Sequence, residues 1–111
     1  MRDEPLVEIV TTVATAEEAL TIARALVEEG AAACVSLDDV RSIYRWQGET
    51  CDERETRLVV KTTAAAADRA EARIRELHPY DTPAIVRLAV EGANAAYAEW
   101  VREAVSGGDD R

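Results

Sequence analysis

Apolar and polar positions along the chain follow two spacings, one typical of strands and one typical of helices. Residues 6–13, LVEIVTTV, are rich in Val, Ile and Thr and too short for a stable helix, so they predict a strand covered on both faces. After them, apolar residues recur at i, i+3, i+4 and i+7, which predicts a helix. These helix-face positions are Ala19, Ile22, Ala23 and Leu26. Thr15 and Glu18 form a capping-box pattern that starts this helix, and Gly30 ends it.

The middle of the chain predicts a β-hairpin. The apolar run AAACVSL, residues 31–37, is followed by VRSIYRWQG, residues 40–48, in which two sets of side chains alternate along a strand. One set is Arg41, Ile43 and Arg45, and the other is Ser42, Tyr44 and Trp46. GETCDERE, residues 48–55, is charged and contains Gly, so we predict a hairpin turn there, followed by the strand TRLVVKTT, residues 56–63.

The last third of the chain predicts two more helices with a strand between them. Thr63 is placed to cap a helix over residues 64–78, which ends before Pro79. Residues 84–90, AIVRLAV, predict the last strand, and Asn94 introduces a third helix. The predicted buried face of that helix carries Tyr97, Trp100, Val101 and Ala104.

The order of these elements predicts an α+β fold. Strand, helix, strand, strand, helix, strand is the ferredoxin-like βαββαβ sandwich, in which both helices lie on one face of the sheet, and here a third helix follows at the C-terminal end. We expect residues 1–105 to form a single domain and residues 106–111, SGGDDR, to be a frayed tail.

The predicted hairpin carries more apolar surface than two helices can cover. Ile43 lies on one side of the strand over residues 40–47, Tyr44 and Trp46 lie on the other, and the strand over residues 56–62 is apolar on both sides. Packing against copies of the same chain buries such a face and leaves no exposed strand edge. We therefore expect a homo-oligomer.

Composition narrows the class of partner. The net charge is −9, and the 13 basic residues lie singly among 22 acidic ones, so we do not expect nucleic acid to bind. No apolar run suits a membrane span or an export signal, so we expect no membrane partner and a cytoplasmic location. Cys34 and Cys51 stand alone without CxxC spacing, so both are expected to be free thiols.

Five segments stand out together, namely AAACVS, SIYRWQG, LVVKTT, HPYDTPAIVRL and YAEWV. In this order and at these separations, over roughly residues 7–104, they resemble the CutA family of divalent-cation tolerance proteins. The resemblance implies a ferredoxin-like fold, a tightly packed homotrimer similar in architecture to the PII signalling proteins, and a cytoplasmic bacterial setting. It also implies an association with tolerance of copper and other divalent cations, but no settled enzymatic reaction.

The chain departs from the pattern of that family at three positions. Ser36 stands where the family usually has Asn, Asp81 where it usually has Glu, and Thr63 where it usually has Arg. At the first two positions the side chain still carries a polar oxygen, but that oxygen lies at a different distance from the backbone. The third removes one possible anion contact.

His78 is the only histidine and the first candidate for metal binding. In the simpler interpretation it complements the free carbonyls at the helix end, Pro79 stops the helix, and Asp81 starts a turn into the last strand. In the other interpretation, His78 and Asp81 flank a rigid corner that binds either a divalent cation such as Cu²⁺ or a small polar ligand. Two ligands are too few, so a third would come from Cys34, from Cys51 or from a neighbouring subunit.

The remaining candidate residues also have two interpretations each. Cys34 is either a buried small side chain with an inert thiol or a copper(I) ligand. Tyr44 and Trp46 either stack on a planar ligand or fill a subunit contact, the commoner use of such aromatics. Lys61 either pairs with a carboxylate or anionic ligand between subunits or is solvated at a strand end. The full set of cleft or interface candidates is Tyr44, Trp46, Lys61, Tyr80 and Trp100.

Two functions of different classes remain open from the sequence. One is a metal-binding or metal-responsive protein, and the other is a trimeric PII-like signalling or scaffold protein that binds a small metabolite in the clefts between subunits. An enzyme that uses His78 as a general base has less support, because the chain shows no Ser-His-Asp order, no Gly-rich phosphate loop and no oriented partner for the imidazole. We therefore expect neither catalysis nor an organic cofactor.

Overall fold

The computed structural model describes residues 4–105, and the predicted tail over residues 106–111 lies outside this range. Strands and helices follow one another in the predicted order. They are β1 (Leu6–Val13), α1 (Ala16–Glu28), β2 (Cys34–Trp46), β3 (Glu49–Thr63), α2 (Ala64–Leu77), β4 (Ile85–Ala89) and α3 (Ala95–Ala104). None of the described helices is long and apolar enough to span a lipid bilayer.

The four strands form one antiparallel sheet in the order β2-β3-β1-β4. The two central strands, β1 and β3, pair from Leu6 with Thr63 to Val13 with Thr56. Each helix that links two strands crosses over the same face, which is the ferredoxin-like arrangement predicted from the element order.

The β2–β3 hairpin is longer than predicted. β2 runs without a break through Asp38 and Asp39, and the turn consists only of Gln47 and Gly48, whose φ angles are 51° and 83°. The predicted turn over residues 48–55 was wrong, because this charged segment forms the first half of β3. Apart from Glu55, its charged side chains are exposed, and Asp52 and Glu53 pair across the hairpin, so polarity there does not interrupt the strand. Cys51 accordingly lies within β3, and both cysteines are free thiols as predicted.

The main core lies between one face of the sheet and helices α1 and α2. Its largest fully buried side chains are Ile9, Val13, Ile22, Leu26, Leu58, Val60 and Ile74. The predicted capping box is confirmed, since Thr15 Oγ1 accepts from the Glu18 N–H at 3.1 Å and Glu18 Oε1 accepts from the Thr15 N–H at 3.3 Å. Gly30 follows α1 with a φ of 74°, a conformation that favours glycine.

The opposite face of the sheet, called the open face here, is covered only in part. Residues paired across neighbouring strands share a face, so Val86 of β4 lies on the open face beside Val10, and Leu88 lies beside Glu8. Val86 is 52% exposed and Leu88 is 48% exposed. Tyr44 and Trp46 of the hairpin are exposed as well. A single chain therefore leaves large apolar side chains uncovered at two places on this face, on β4 and on the hairpin, and the sequence predicts those of the hairpin.

Helix α3 covers one end of the open face with only part of the predicted buried face, since Val101 and Ala104 pack there as predicted. A small second core joins Ala98 and Val101 of α3 to Leu6 and Ala33. The prediction that Tyr97 and Trp100 mark the buried face of this helix was wrong, because both are exposed and contact each other with ring centroids 5.8 Å apart. The small side chain of Ala98 lets the helix approach the sheet closely, so the large rings are left at the sides.

Candidate functional site

A cavity of about 540 Å³ lies on the open face, where β1, β2 and β3 meet the segment that leads into β4. Alternation along β2 brings Ser42, Tyr44 and Trp46 to the same face, and Glu55 of β3 lies on that face as well. The complete lining is Thr12, Ser42, Tyr44, Trp46, Glu55, Tyr80, Asp81, Thr82 and Ala84.

His78 holds the corner beneath this cavity, which is the segment between α2 and β4. Helix α2 ends at Leu77, His78 caps it, and the side chain of His78 is buried, with 8% exposed. Its Nε2 lies 2.9 Å from the Thr12 carbonyl oxygen and 3.1 Å from Thr11 Oγ1, and its Nδ1 accepts from the Tyr80 N–H at 3.2 Å. Both ring nitrogens are therefore used within the chain, Nε2 as a donor and Nδ1 as an acceptor.

This burial of His78 predicts a pH dependence of stability. Burial lowers the pKa of the His78 imidazole, and the bond to Thr12 and the charges of Glu18 and Glu55 oppose the shift only in part. The unfolded chain therefore binds a proton at His78 at a higher pH, near 6.5, than the folded chain does. The contribution of the neutral, buried imidazole to the free energy of unfolding is fully present above about pH 6.5. It is lost as the pH falls through the lower pKa that His78 has in the folded chain.

We expect the free energy of unfolding of the wild type, measured by guanidinium denaturation, to fall more than that of His78→Gln between about pH 7.5 and about pH 5.5. The extra loss is at most about 1.4 kcal/mol per pH unit. Both proteins are compared at one protein concentration, because assembly adds to apparent stability. Equal pH dependence of the two proteins would show that the imidazole is not held neutral.

Two tyrosine–glutamate pairs stand side by side at the cavity. The Tyr80 hydroxyl donates to Glu55 Oε2 at 2.7 Å, and the Tyr44 hydroxyl donates to Glu53 Oε1 at 2.6 Å. Burial and then the bond to Glu55 raise the pKa of Tyr80, whereas the bond to Glu53 is the main cause that raises the pKa of Tyr44. Both phenols therefore remain protonated and act as hydrogen-bond donors.

Glu55 is the least solvated acidic group at the cavity. Its side chain is only 9% exposed, and the Tyr80 hydroxyl occupies Oε2. No donor from residues 4–105 reaches Oε1. A buried carboxylate oxygen without a donor is less favourable than one that accepts a hydrogen bond. The cavity thus presents a carboxylate oxygen that can accept a further bond.

The predicted metal ligands lie in different parts of the fold. Asp81 lines the cavity, and His78 lies behind it with both nitrogens in use. Cys34 begins β2 opposite Lys61, whereas the cavity takes its β2 residues from Ser42 onward. Within residues 4–105, no three His, Cys, Asp or Glu side chains come together in a group that could hold a metal ion.

The predicted cleft residues fall into two groups. Tyr44, Trp46 and Tyr80 line the cavity. Lys61 instead lies near the other end of the open face and donates from Nζ to Ser36 Oγ at 2.7 Å. Trp100 belongs to α3, beside Tyr97.

The model of the family described as CutA1 divalent ion tolerance protein matches residues 7–104. The chain belongs to the CutA1 family. Among curated relatives, the divalent-cation tolerance protein CutA of Thermus thermophilus is 47% identical over 96 residues, which covers 86% of this chain and 93% of that protein.

Solved CutA structures have the same fold. The structure of CutA from Synechococcus elongatus is 37% identical, with a TM-score of 0.89, and the match covers 96% of this chain and 95% of that one. A structure from Archaeoglobus fulgidus, described as a periplasmic divalent cation tolerance protein, is 29% identical with a TM-score of 0.88, covering 91% and 99% of the two chains. The predicted family is therefore confirmed.

Sequence reasoning did not find the most buried acid of this CutA1 site, Glu55. It was interpreted as one of several charges in a solvated turn. A signal was available, because the alternation of the Val-rich strand continues backwards from Val59 through Arg57 to Glu55. Extending the strand pattern into the charged segment would have placed Glu55 on the open face.

Proposed function

We propose that this protein acts in the tolerance of divalent cations as a homotrimer with PII-like architecture. One observation carries the proposal, namely the large apolar side chains that a single chain leaves uncovered on the open face. They are Val86 and Leu88 on β4 and Tyr44 and Trp46 on the hairpin. Exposed apolar side chains on a sheet face are typical of protein interfaces. The names of the relatives supply the association with divalent cations.

We propose that Cu²⁺ or another divalent cation binds at the cavity, with Asp81 and Glu55 as the ligands that this chain supplies. The two carboxylates suit a divalent cation, but a metal site normally needs three or four protein ligands or several bound waters. One chain provides only part of such a set. Because the cavity lies on the face that the proposed trimer buries, the remaining ligands would come from a neighbouring copy.

Titration calorimetry with Cu²⁺ and with Zn²⁺ tests this proposal. We expect Asp81→Asn to weaken binding at least tenfold, because the amide is uncharged and a poorer metal ligand. Asp39→Asn is the matched control, since Asp39 is an exposed residue on β2 outside the cavity and should change the affinity less than twofold.

Equal binding by both variants, or no binding of either metal to the wild type, would contradict this metal site. His78→Ala is a poor substitute for Asp81→Asn, because removing the ring also removes the bonds that hold the corner.

A second candidate function is a PII-like signalling or scaffold protein that binds a small molecule between subunits. The size of the cavity, about 540 Å³, favours it, because binding sites for small molecules commonly measure roughly 300–1,000 Å³. Aromatic rings and a few polar groups line the cavity, as in many such sites.

We propose that this protein works in the cytoplasm. Its role there is to bind a ligand and not to catalyse a reaction. The bonding of the only imidazole supports the absence of catalysis, because neither ring nitrogen is free to act as a base. The two free cysteines suit a reducing compartment. Recovery of the protein from a periplasmic fraction would contradict the location.

A further inference from the structure

We infer that the cavity on the open face is a binding site for a compact organic cation, an ammonium or guanidinium group attached to a small apolar body. This inference rests on the second proposed function for the presence of a small molecule and adds its chemical class. Three features of the cavity support it, namely its charge, the free oxygen of Glu55 and its aromatic wall.

The charge of the lining favours a cation. Glu55 and Asp81 are the acidic side chains of the lining, and no Lys or Arg from residues 4–105 takes part in it. The nearest basic residue along β3 on this face, Arg57, is engaged in two bonds to Asp38, at 3.1 and 2.8 Å. A phosphate or a nucleotide would meet two carboxylates without a compensating cation, so this site disfavours anionic ligands.

Glu55 gives the site a specific point of attachment. The residue is only 9% exposed, Tyr80 holds one carboxylate oxygen, and the second oxygen has no donor from the described part of the chain. A ligand N–H group that carries a positive charge would satisfy this oxygen and neutralise the buried charge at the same time. A neutral hydroxyl would donate to this oxygen but would not neutralise the buried charge.

The aromatic wall selects a cation with an apolar body. Tyr44 and Trp46 line the cavity from alternate positions of β2, and both rings are partly exposed. Tryptophan and tyrosine faces attract ammonium and guanidinium groups and also pack against hydrocarbon. Ser42 and Thr12 add hydroxyl oxygens that can accept further N–H bonds.

The competing occupant is a basic side chain of a neighbouring copy, which could pair with Glu55 in the trimer. That arrangement would fill the cavity and leave no room for a free ligand. It makes a different prediction, because Glu55→Gln would then reduce the sedimenting mass and no amine would bind.

Calorimetric titration with three probes of similar size tests the inference. Benzylammonium should bind saturably, whereas neutral benzyl alcohol and anionic benzoate should bind at least tenfold more weakly. Glu55→Gln should weaken benzylammonium binding at least tenfold. Asp39→Asn is the matched control, because Asp39 is an exposed acid on β2 outside the cavity, and it should change the affinity less than twofold.

Trp46→Leu provides a second variant at an exposed hairpin position, in case Glu55→Gln does not fold by circular dichroism. We expect it to weaken benzylammonium binding several-fold. Benzoate binding as tightly as benzylammonium, or unchanged affinity in Glu55→Gln or Trp46→Leu, would overturn the inference. Sedimentation of the same samples separates the two proposals, since a trimer that binds no amine contradicts only the inference, and an amine-binding monomer contradicts only the trimer.

Discussion

Val86→Glu is expected to dissociate the assembled protein into smaller species while leaving each subunit folded. Val86 lies on the open face beside Val10, and 52% of it is exposed in a single chain. In a trimer closed over this face, the substitution loses about 1 kcal/mol of apolar burial per copy. It also removes a carboxylate from water, which costs several kcal/mol more per copy. Sedimentation velocity at micromolar concentration should therefore show a loss of the trimer.

Leu20→Glu is the matched control for that experiment. Leu20 is similarly exposed, at 46%, but it belongs to α1 on the other side of the sheet. A glutamate at this position also has Arg24 one turn later, a favourable spacing. We expect this variant to sediment as the wild type does. If both variants kept the wild-type mass, the open face would not be the subunit interface.

Ile9→Ala is expected to lower the free energy of unfolding by about 2–5 kcal/mol. Ile9 is fully buried at the centre of β1, between Val60 of β3 and Arg87 of β4, and it packs in the core beneath α1 and α2. Truncation leaves a cavity that the surrounding strands cannot fill. Since a domain of this size is stable by only about 5–15 kcal/mol, the loss is a large fraction of the total.

Guanidinium denaturation, followed by circular dichroism at one protein concentration, measures this loss. Val27→Ala is the control, because Val27 lies on α1 and is 44% exposed. Alanine also has the higher helix propensity, so this variant should change the stability by less than about 0.5 kcal/mol. A similar loss in both variants would contradict the assignment of Ile9 to the core.

The regular elements of the fold could be predicted because local pattern and tertiary packing agree there. In α1, the buried residues are those that the spacing selects, and Thr15 and Glu18 form the cap that their sequence pattern indicates. β1 is a strand as predicted, but only its alternate positions are fully buried, not both faces. In the β2–β3 hairpin, local pattern and tertiary packing do not agree, because the outer half of the hairpin extends beyond the helices. Without a core beneath it, strand residues such as Arg54 need not be apolar, and their polarity imitates a turn.

The candidate site was predictable in its residue types but not in its arrangement. Tyr44, Trp46, Tyr80 and Asp81 were all singled out, and all line the cavity. Their convergence depends on strand register and on the corner after α2, which no local pattern encodes. His78 illustrates the limit, since its sequence position suits a ligand, whereas its burial and its bonds to Thr12 and Tyr80 are tertiary features.

The sedimenting mass of the wild-type protein tests the central claim most directly. If the open face is buried between three identical copies, velocity and equilibrium sedimentation at micromolar concentration should give three times the chain mass of 12.1 kDa. A compact, stable particle with the mass of one chain would contradict the account.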